Sequence, residues 1–318
     1  MNEEIPKIIV TGCSGYVASD LIPKLKKFHE VFGIDIIKGP FTNLVGDISS
    51  IASNASLKHF NNDSLIIINL AAARFDFGAT AADYYKFNVK SHHNFMQALN
   101  GLKIIKFIHI SSVASLDGRD ITYCDELNCD DAYRSTKYLQ EVLIEKWCHD
   151  RNIELTILYP SAIFSNDPRS DTNIGKLQSL AKILPFVPQI NVVKSLTYLP
   201  NFSKFIVDLV FAQIPAGKYL TIQSDSLTVS KMIQIISGRS IRVIKIPLLQ
   251  QILKTLAKIL YILGLCGKID LKLTPNRVVK LFSDTSYSNI NHKDVNLDKY
   301  KSQSSNKLPE ILEKLNIK

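Results

Sequence analysis

The sequence predicts an α/β fold, a doubly wound parallel sheet with a smaller C-terminal lobe. Three observations predict it. Short, near-continuous runs of Ile, Val and Leu recur through the first half, as in strands covered on both faces. Helix-length segments separate these runs, the order of β–α–β units. The first run leads straight into a glycine-containing turn. A length of 318 residues suits one large α/β domain or such a domain with an appendage. With 46% hydrophobic and 21% charged residues, the chain is neither disordered nor fibrous. A core of this size requires no disulfide or metal staple.

In chain order, Lys7–Thr11 (KIIVT) reads as a short buried strand and Ser19–His29 as a helix. Val31–Ile37, Ser64–Ala71 and Ile104–Ser111 read as further strands. Ala132–Arg151 has helical periodicity, and Glu154–Tyr159 is again strand-like. After about Ser161, Pro168, Pro185, Pro188, Pro200, Pro215 and Pro247 break the pattern into short pieces. The expected division is therefore an α/β sheet domain over 1–165 and a smaller lobe over 166–318, some of whose elements return to the sheet.

Composition excludes several classes. The five cysteines are odd in number and form no CxxC pair, which argues against a disulfide framework and for a reducing cytoplasm. The acidic start MNEEIPKIIVTG does not read as a signal peptide. Residues 246–266 are rich in apolar side chains, but Lys254 and Lys258 interrupt them. Leu249, Ile252, Leu253, Leu256, Ile259, Leu260 and Leu263 recur at helical spacing, so a helix packed on the domain with a polar face is expected, without stable membrane insertion. The seven histidines show no metal spacing, and His92 and His93 should point in different directions on a helix; no metal is expected. The formal charge of +9 is scattered in modest clusters without interleaved aromatics, so no nucleic-acid partner is expected. Such a charge also suits small polyanionic ligands.

The chemistry-bearing motifs begin at the first turn, Thr11-Gly12-Cys13-Ser14-Gly15-Tyr16-Val17-Ala18. A strand feeding a glycine turn into a helix presents backbone N–H groups and the positive helix end to a phosphate. Gly12 allows the tight turn, Gly15 lets the backbone approach a pyrophosphate, and Ala18 permits close helix–strand packing. Asp35, at the end of the second strand, stands where a carboxylate binds ribose hydroxyls and repels a 2′-phosphate, favouring NAD over NADP. Tyr133 and Lys137 lie four residues apart on one helix face, and an ammonium beside a phenol favours the phenolate. Ser111 and Ser112 end a strand upstream, at the sheet edge where ligands bind in parallel α/β folds.

In this order the chain resembles the extended short-chain dehydrogenases/reductases, and more narrowly the NAD-dependent epimerase/dehydratase family acting on nucleotide sugars. The motifs are the TGxxGYxxS turn, Asp35, Gly46-Asp47-Ile48, Asn69-Leu70-Ala71-Ala72, Asn88-Val89, Ser111-Ser112 and Tyr133-x-x-x-Lys137. Looser matches follow in Lys194–Phe202 and Phe282–Ser288. The resemblance implies a Rossmann-like dinucleotide-binding domain over 1–165 with NAD as cofactor, and a mainly substrate-binding lobe over 166–318. Gly12, Ser14, Gly15, Tyr16 and Val17 would surround the pyrophosphate, Asp35 the ribose, and Asp47 and Ile48 the adenine. Leu70, Ala71, Ala72, Asn88, Ser111, Tyr159, Pro160 and Ala162 would complete the cofactor site. Tyr133 would be the acid/base, Ser112 would bond the reacting oxygen, and Lys137 would hold the nicotinamide ribose.

The resemblance further implies a nucleotide-sugar epimerase serving surface-polysaccharide precursor synthesis, with a homodimer. Alternatives are a reductase or dehydrogenase of a keto nucleotide sugar or other small substrate, and a nucleotide-binding relative without catalysis. Ser115-Leu116-Asp117-Gly118 replaces the family's Val-Tyr-Gly, Tyr159-Pro160 its Arg-Pro, and Tyr198-Leu199-Pro200-Asn201 a His-Val-Asp-Asp-like stretch. Val113 follows the serines where sugar dehydratases carry Thr-Asp-Glu, which disfavours elimination.

Overall fold

The computed structural model describes residues 5–53, 55–73, 79–166, 169, 172–222, 227–237, 240–263 and 275–284. The chain opens with β1 (Lys7–Thr11), α1 (Tyr16–Leu25), β2 (Val31–Asp35), β3 (Leu44–Val45) and two 3-10 segments, Ile48–Ser53 and Ala55–Phe60. β4 (Ser64–Asn69) follows. A continuous helical stretch then runs through α2 (Ala81–Tyr85), a π-turn (Lys86–Lys90) and α3 (Ser91–Ala98). Next come β5 (Lys103–Ile110), α4 (Val113–Gly118), α5 (Cys129–Asp150), β6 (Glu154–Pro160) and β7 (Ala162–Phe164). The later elements are α6 (Asn173–Ile183), β8 (Val187–Pro188), β9 (Val193–Lys194), β10 (Leu196–Tyr198), α7 (Leu199–Val210) and β11 (Lys218–Thr221). β12 (Leu227–Thr228), α8 (Val229–Ser237), β13 (Val243–Ile244), α9 (Leu249–Ile262) and α10 (Pro275–Leu281) complete the described chain.

Seven strands form one sheet in the order β3-β2-β1-β4-β5-β6-β11, every pair parallel. The order reverses between β1 and β4, the switch point at which such sheets bind ligands beyond their strand ends. All six residues of β4 are buried, so its unbroken SLIIIN run reflects cover on both faces. On one face Ile9, Ile34, Ile67 and Phe107 pack with Phe95, Ile144 and Trp147. Burial of each such side chain contributes about 1.5–3 kcal/mol relative to exposure. β2 stops at Asp35, two residues before the run predicted from sequence. There the Ile37 N–H donates to Asp35 Oδ1 at 3.0 Å, turning the chain and leaving Ile36 and Ile37 exposed. α1 starts at Tyr16, earlier than expected, because Gly15 serves as its N-cap.

The chain divides into two compact units. The first comprises residues up to Ser161 together with Leu199–Thr221, which return α7 and β11 to it. Lys106, buried in β5, anchors α7 by donating to the Leu209 carbonyl at 2.8 Å. The second unit includes Ala162–Tyr198 and the described residues after Ile222. Its core joins Phe164, Ile174, Val187, Leu196, Met232 and Ile236. Lys194 donates to the Ser283 carbonyl, bringing together the two late segments noted in the sequence; residues 285–288 lie outside the described residues.

Of the predicted helix 246–266, α9 covers Leu249–Ile262, and residues 264–266 lie outside the described residues. The polar outer face expected for it is not what the structure shows. Leu249, Leu253 and Leu260 are half-buried, whereas Ile252, Leu256, Ile259 and Leu263 are exposed. Sequence spacing shows that apolar residues share a helix side; here they are spread too widely for one packed seam to cover. No helix among the described residues is long and apolar enough to cross a membrane.

Candidate active site

Gly12 follows β1 with φ 70°, a left-handed conformation that glycine adopts without steric cost. A Cβ there would lie 2.9 Å from Ala71 N and from Leu70 C, so its absence lets the turn close against the end of β4 across the switch point. Gly15 caps α1 with no side-chain bond to the helix, and the first turn holds no acidic residue. The positive helix end is thus left uncompensated beside a turn stripped of side chain, which fits the pyrophosphate of a dinucleotide. Tyr16 and Val17 form that first turn, half-buried. Cys13 packs as a small core residue, 1% exposed, and burial pushes its thiol pKa up.

Asp35 stands beside this turn. Its Oδ2 accepts the Ser14 N–H at 2.8 Å, while Ser14 Oγ donates to the Ile37 carbonyl at 2.9 Å. Ser14 therefore braces the acid and the segment after it. Asp47 accepts the Ser49 N–H at 2.7 Å, and the Ile48 side chain is turned into the core.

A polar row crosses the ends of the central strands. Thr11 Oγ1 donates to Asn69 Oδ1 at 2.6 Å, and Asn69 Nδ2 lies 3.1 Å from His109 Nδ1. His92 Nε2 meets the Ala71 carbonyl at 3.1 Å, while His93 is exposed, as their adjacency on a helix requires. Burial, then the Lys137 charge, lowers the His92 pKa to about 3 and holds His109 well below the usual imidazole range. Both rings are neutral at ordinary pH. Asn88, fully buried in the π-turn, accepts the Ala73 N–H at 2.8 Å and donates to the Ala73 carbonyl and Thr136 Oγ1. Its amide braces the segment holding half-buried Leu70 and Ala71 and exposed Ala72.

The third group is built on α4 and α5. α5 is capped by Asn128, whose Oδ1 accepts the N–H groups of Asp130 and Asp131, and both acids favour the helix start. A Cβ on Gly118 would stand 2.2 Å from the Arg134 carbonyl oxygen, so this glycine sets how closely α4 and α5 approach. Tyr133 is half-buried, its ring 6.0 Å from that of Tyr84. Lys137, one turn on, is fully buried; its Nζ donates to Gln140 Oε1 at 2.6 Å and to the Ile110 carbonyl at 3.3 Å. Burial lowers its pKa to about 8 against the opposing pull of Glu141.

The two serines differ. Ser112, half-buried, caps α4 by accepting the Ala114 N–H at 3.2 Å, and no acceptor among the described residues takes its hydroxyl hydrogen. Ser111 is buried and spends its hydroxyl on Glu141 Oε1. Tyr159 donates to the other Glu141 oxygen at 2.9 Å. Tyr159 is thus a buried residue committed to Glu141, and Pro160 beside it is also buried, whereas Ala162 is exposed in the second unit. Burial raises the pKa of both Glu141 and Tyr159. Glu141 is not among the residues read from the sequence, yet Tyr133, Lys137 and Glu141 fall at successive four-residue steps, a stripe that could have shown it. Among the described residues no group of three or more His, Cys, Asp or Glu gathers to hold a metal ion.

The fold recurs in solved structures. UDP-glucuronic acid 4-epimerase from Bacillus cereus, in complex with UDP-glucuronic acid and NAD, superposes with TM-score 0.59 at 21% identity, covering 76% of this chain and 86% of that one. UDP-N-acetylglucosamine 4-epimerase from Methanobrevibacter ruminantium M1, in complex with UDP-N-acetylmuramic acid, gives 0.61 at 19% identity, with 76% and 86% covered. UDP-glucose 4-epimerase from Thermus thermophilus, in complex with NAD, gives 0.58 at 13%, with 75% and 85% covered. No curated protein sequence matches the chain. The model of the NAD dependent epimerase/dehydratase family matches residues 8–196, more than half the chain. The chain belongs to that family, as an NAD-dependent enzyme of the extended short-chain dehydrogenase/reductase type.

Proposed function

We propose that the protein is an NAD-dependent nucleotide-sugar epimerase in which Tyr133, Ser112 and Lys137 are catalytic. The observation that carries this reading is the pair of unspent donors at the end of β5. Ser112 keeps its hydroxyl hydrogen, and Lys137, fixed by Ile110 and Gln140, keeps one of three ammonium hydrogens. Ser111, committed to Glu141, has none to offer.

In this reading Tyr133 Oη takes the proton from a sugar hydroxyl while Ser112 Oγ donates a hydrogen bond to the same oxygen as it becomes a carbonyl. Lys137 supplies the positive charge that favours the phenolate and bonds the cofactor ribose. NAD, when bound, supplies a reversible hydride acceptor. Gly12, Gly15, Tyr16 and Val17 hold its pyrophosphate, Asp35 its ribose, and the Asp47-Ile48 segment its adenine. Tyr133 then returns the proton when the keto sugar has turned over, so the cofactor is not consumed. The second unit is read as the substrate-binding lobe. Solved structures of similar fold hold UDP-glucuronic acid or UDP-N-acetylmuramic acid, which supports a nucleotide-sugar substrate; surface-polysaccharide precursor synthesis is the role read for this protein. A homodimer and a reducing cytoplasm complete the reading; the free Cys13, Cys124, Cys129 and Cys148 support the latter.

The test is incubation of the purified protein with a panel of UDP sugars, following epimer formation by chromatography and NADH by absorbance. Epimer formation without net NADH, lost in Tyr133→Phe, is the expected result. Stoichiometric change of NAD with product would make it a reductase or dehydrogenase. No turnover by wild type with any sugar, together with intact cellular function of Tyr133→Phe, would reject catalysis as its role.

A further inference from the structure

α9, in the second unit, takes no part in the chemistry above. Its inner side holds buried Ala257 and packs with α10. Its outer side exposes Ile252, Leu256, Ile259, Ile262 and Leu263, with Ile262 81% exposed. Leu248, just ahead, is 68% exposed and held at φ 56°, a left-handed backbone that a leucine rarely adopts. Six large aliphatics on one exposed surface are far beyond the scattered apolar residues of an ordinary soluble face.

The charge of this chain segment has one sign. Between Leu227 and Leu263 the sequence carries six Lys and Arg residues and no Asp or Glu. Arg242, Lys245 and Lys258 are exposed. An aliphatic face in a segment whose charges are all cationic complements a surface that is apolar within and anionic at its rim. A second copy of the chain would bring the same cations face to face, which like-charge repulsion opposes.

We propose that α9 docks on the surface of an anionic lipid bilayer. The helix lies in the plane of the headgroups, its exposed aliphatics reaching the acyl boundary and Lys258, Lys245 and Arg242 meeting lipid phosphates. At 14 residues, α9 lies on the membrane and does not span it.

The test is co-sedimentation of the full-length protein with vesicles of phosphatidylcholine alone and of phosphatidylcholine with phosphatidylglycerol. Binding to the anionic vesicles is expected to be at least about tenfold stronger and to weaken with salt. Ile259→Asp and Lys258→Glu, both at exposed positions, should each reduce it several-fold while NAD binding, the control for folding, is retained. Equal or absent binding to both vesicle types would overturn the proposal, as would unchanged binding by Ile259→Asp. A lipid-independent dimer that Ile259→Asp dissolves would instead assign the face to a second copy. None of these outcomes depends on which sugar, or whether any sugar, is turned over.

Discussion

The Ser14 N–H donates to Asp35 Oδ2 at 2.8 Å, tying the glycine turn directly to the acid at the end of β2. With the Ile37 N–H on Oδ1, each carboxylate oxygen holds one backbone donor and keeps acceptor capacity for a ribose hydroxyl. Asp35→Asn replaces one acceptor with a donor facing a backbone N–H and removes the charge that repels a 2′-phosphate. Loss of charge-assisted bonds worth about 1.5–3 kcal/mol should weaken NAD binding roughly 10- to 100-fold. NADP should be affected less, narrowing the preference. Titration calorimetry with both dinucleotides checks this; an equal loss for the two would show that Asp35 does not discriminate them.

Gly118 permits the backbone contact between α4 and α5, and so fixes the spacing of Ser112 from Tyr133. Gly118→Ala inserts a methyl group 2.2 Å from the Arg134 carbonyl oxygen. Overpacking of this kind costs about 1–3 kcal/mol of stability. Displacement of α5 should lower kcat by one or two orders of magnitude, as misplacement of reacting groups does, with a smaller loss of NAD affinity through Lys137. Steady-state kinetics beside calorimetry separates the two; an unchanged kcat would show that this contact does not set the position of α5.

Lys137 should leave a signature in the pH dependence of stability. Its pKa is lowered from 10.5 to about 8, chiefly by burial. Below about pH 8 both the folded and unfolded chains carry the charge, and the burial cost is fully present. Between about 8 and 10.5 the unfolded chain binds this proton more, so stability from this group rises with pH. Wild type should therefore gain up to about 3 kcal/mol relative to Lys137→Met across that window. Urea unfolding of both proteins at stepped pH measures the difference, and parallel curves would refute it.

Glu141 is the acceptor on which Ser111 and Tyr159 both depend. Glu141→Ala leaves the buried Tyr159 hydroxyl without its acceptor, Ser111 with only Ser115 Oγ, and Lys137 without its neighbouring carboxylate. The expected loss is about 3–5 kcal/mol, the scale on which a broken buried charge pair destabilises. Glu141→Gln preserves shape and one acceptor, and should lose about half as much. Denaturation midpoints rank the two, and similar losses for both would show that volume, not hydrogen bonding, is what Glu141 provides.

Much of this protein was determined by its sequence alone. The Ile/Val/Leu runs mark β1, β2, β4, β5 and β6, because strands buried on both faces must be apolar throughout, and KIIVT forms β1 with the predicted bounds. Gly12 is legible because only glycine meets a left-handed turn against a neighbouring strand without a clash. Asp35 and the Tyr133–Lys137 pair are legible because their spacing is local. The tertiary structure decided what local spacing does not contain. It chose which of two adjacent serines keeps a free hydroxyl, because Glu141, thirty residues away, claims Ser111. It turned Asn88 and Tyr159 onto the protein's own polar groups, because a buried donor or acceptor must find a partner wherever the fold brings one. It left half the apolar residues of α9 facing outward, since periodicity tells which side chains share a face but not which face the rest of the chain covers.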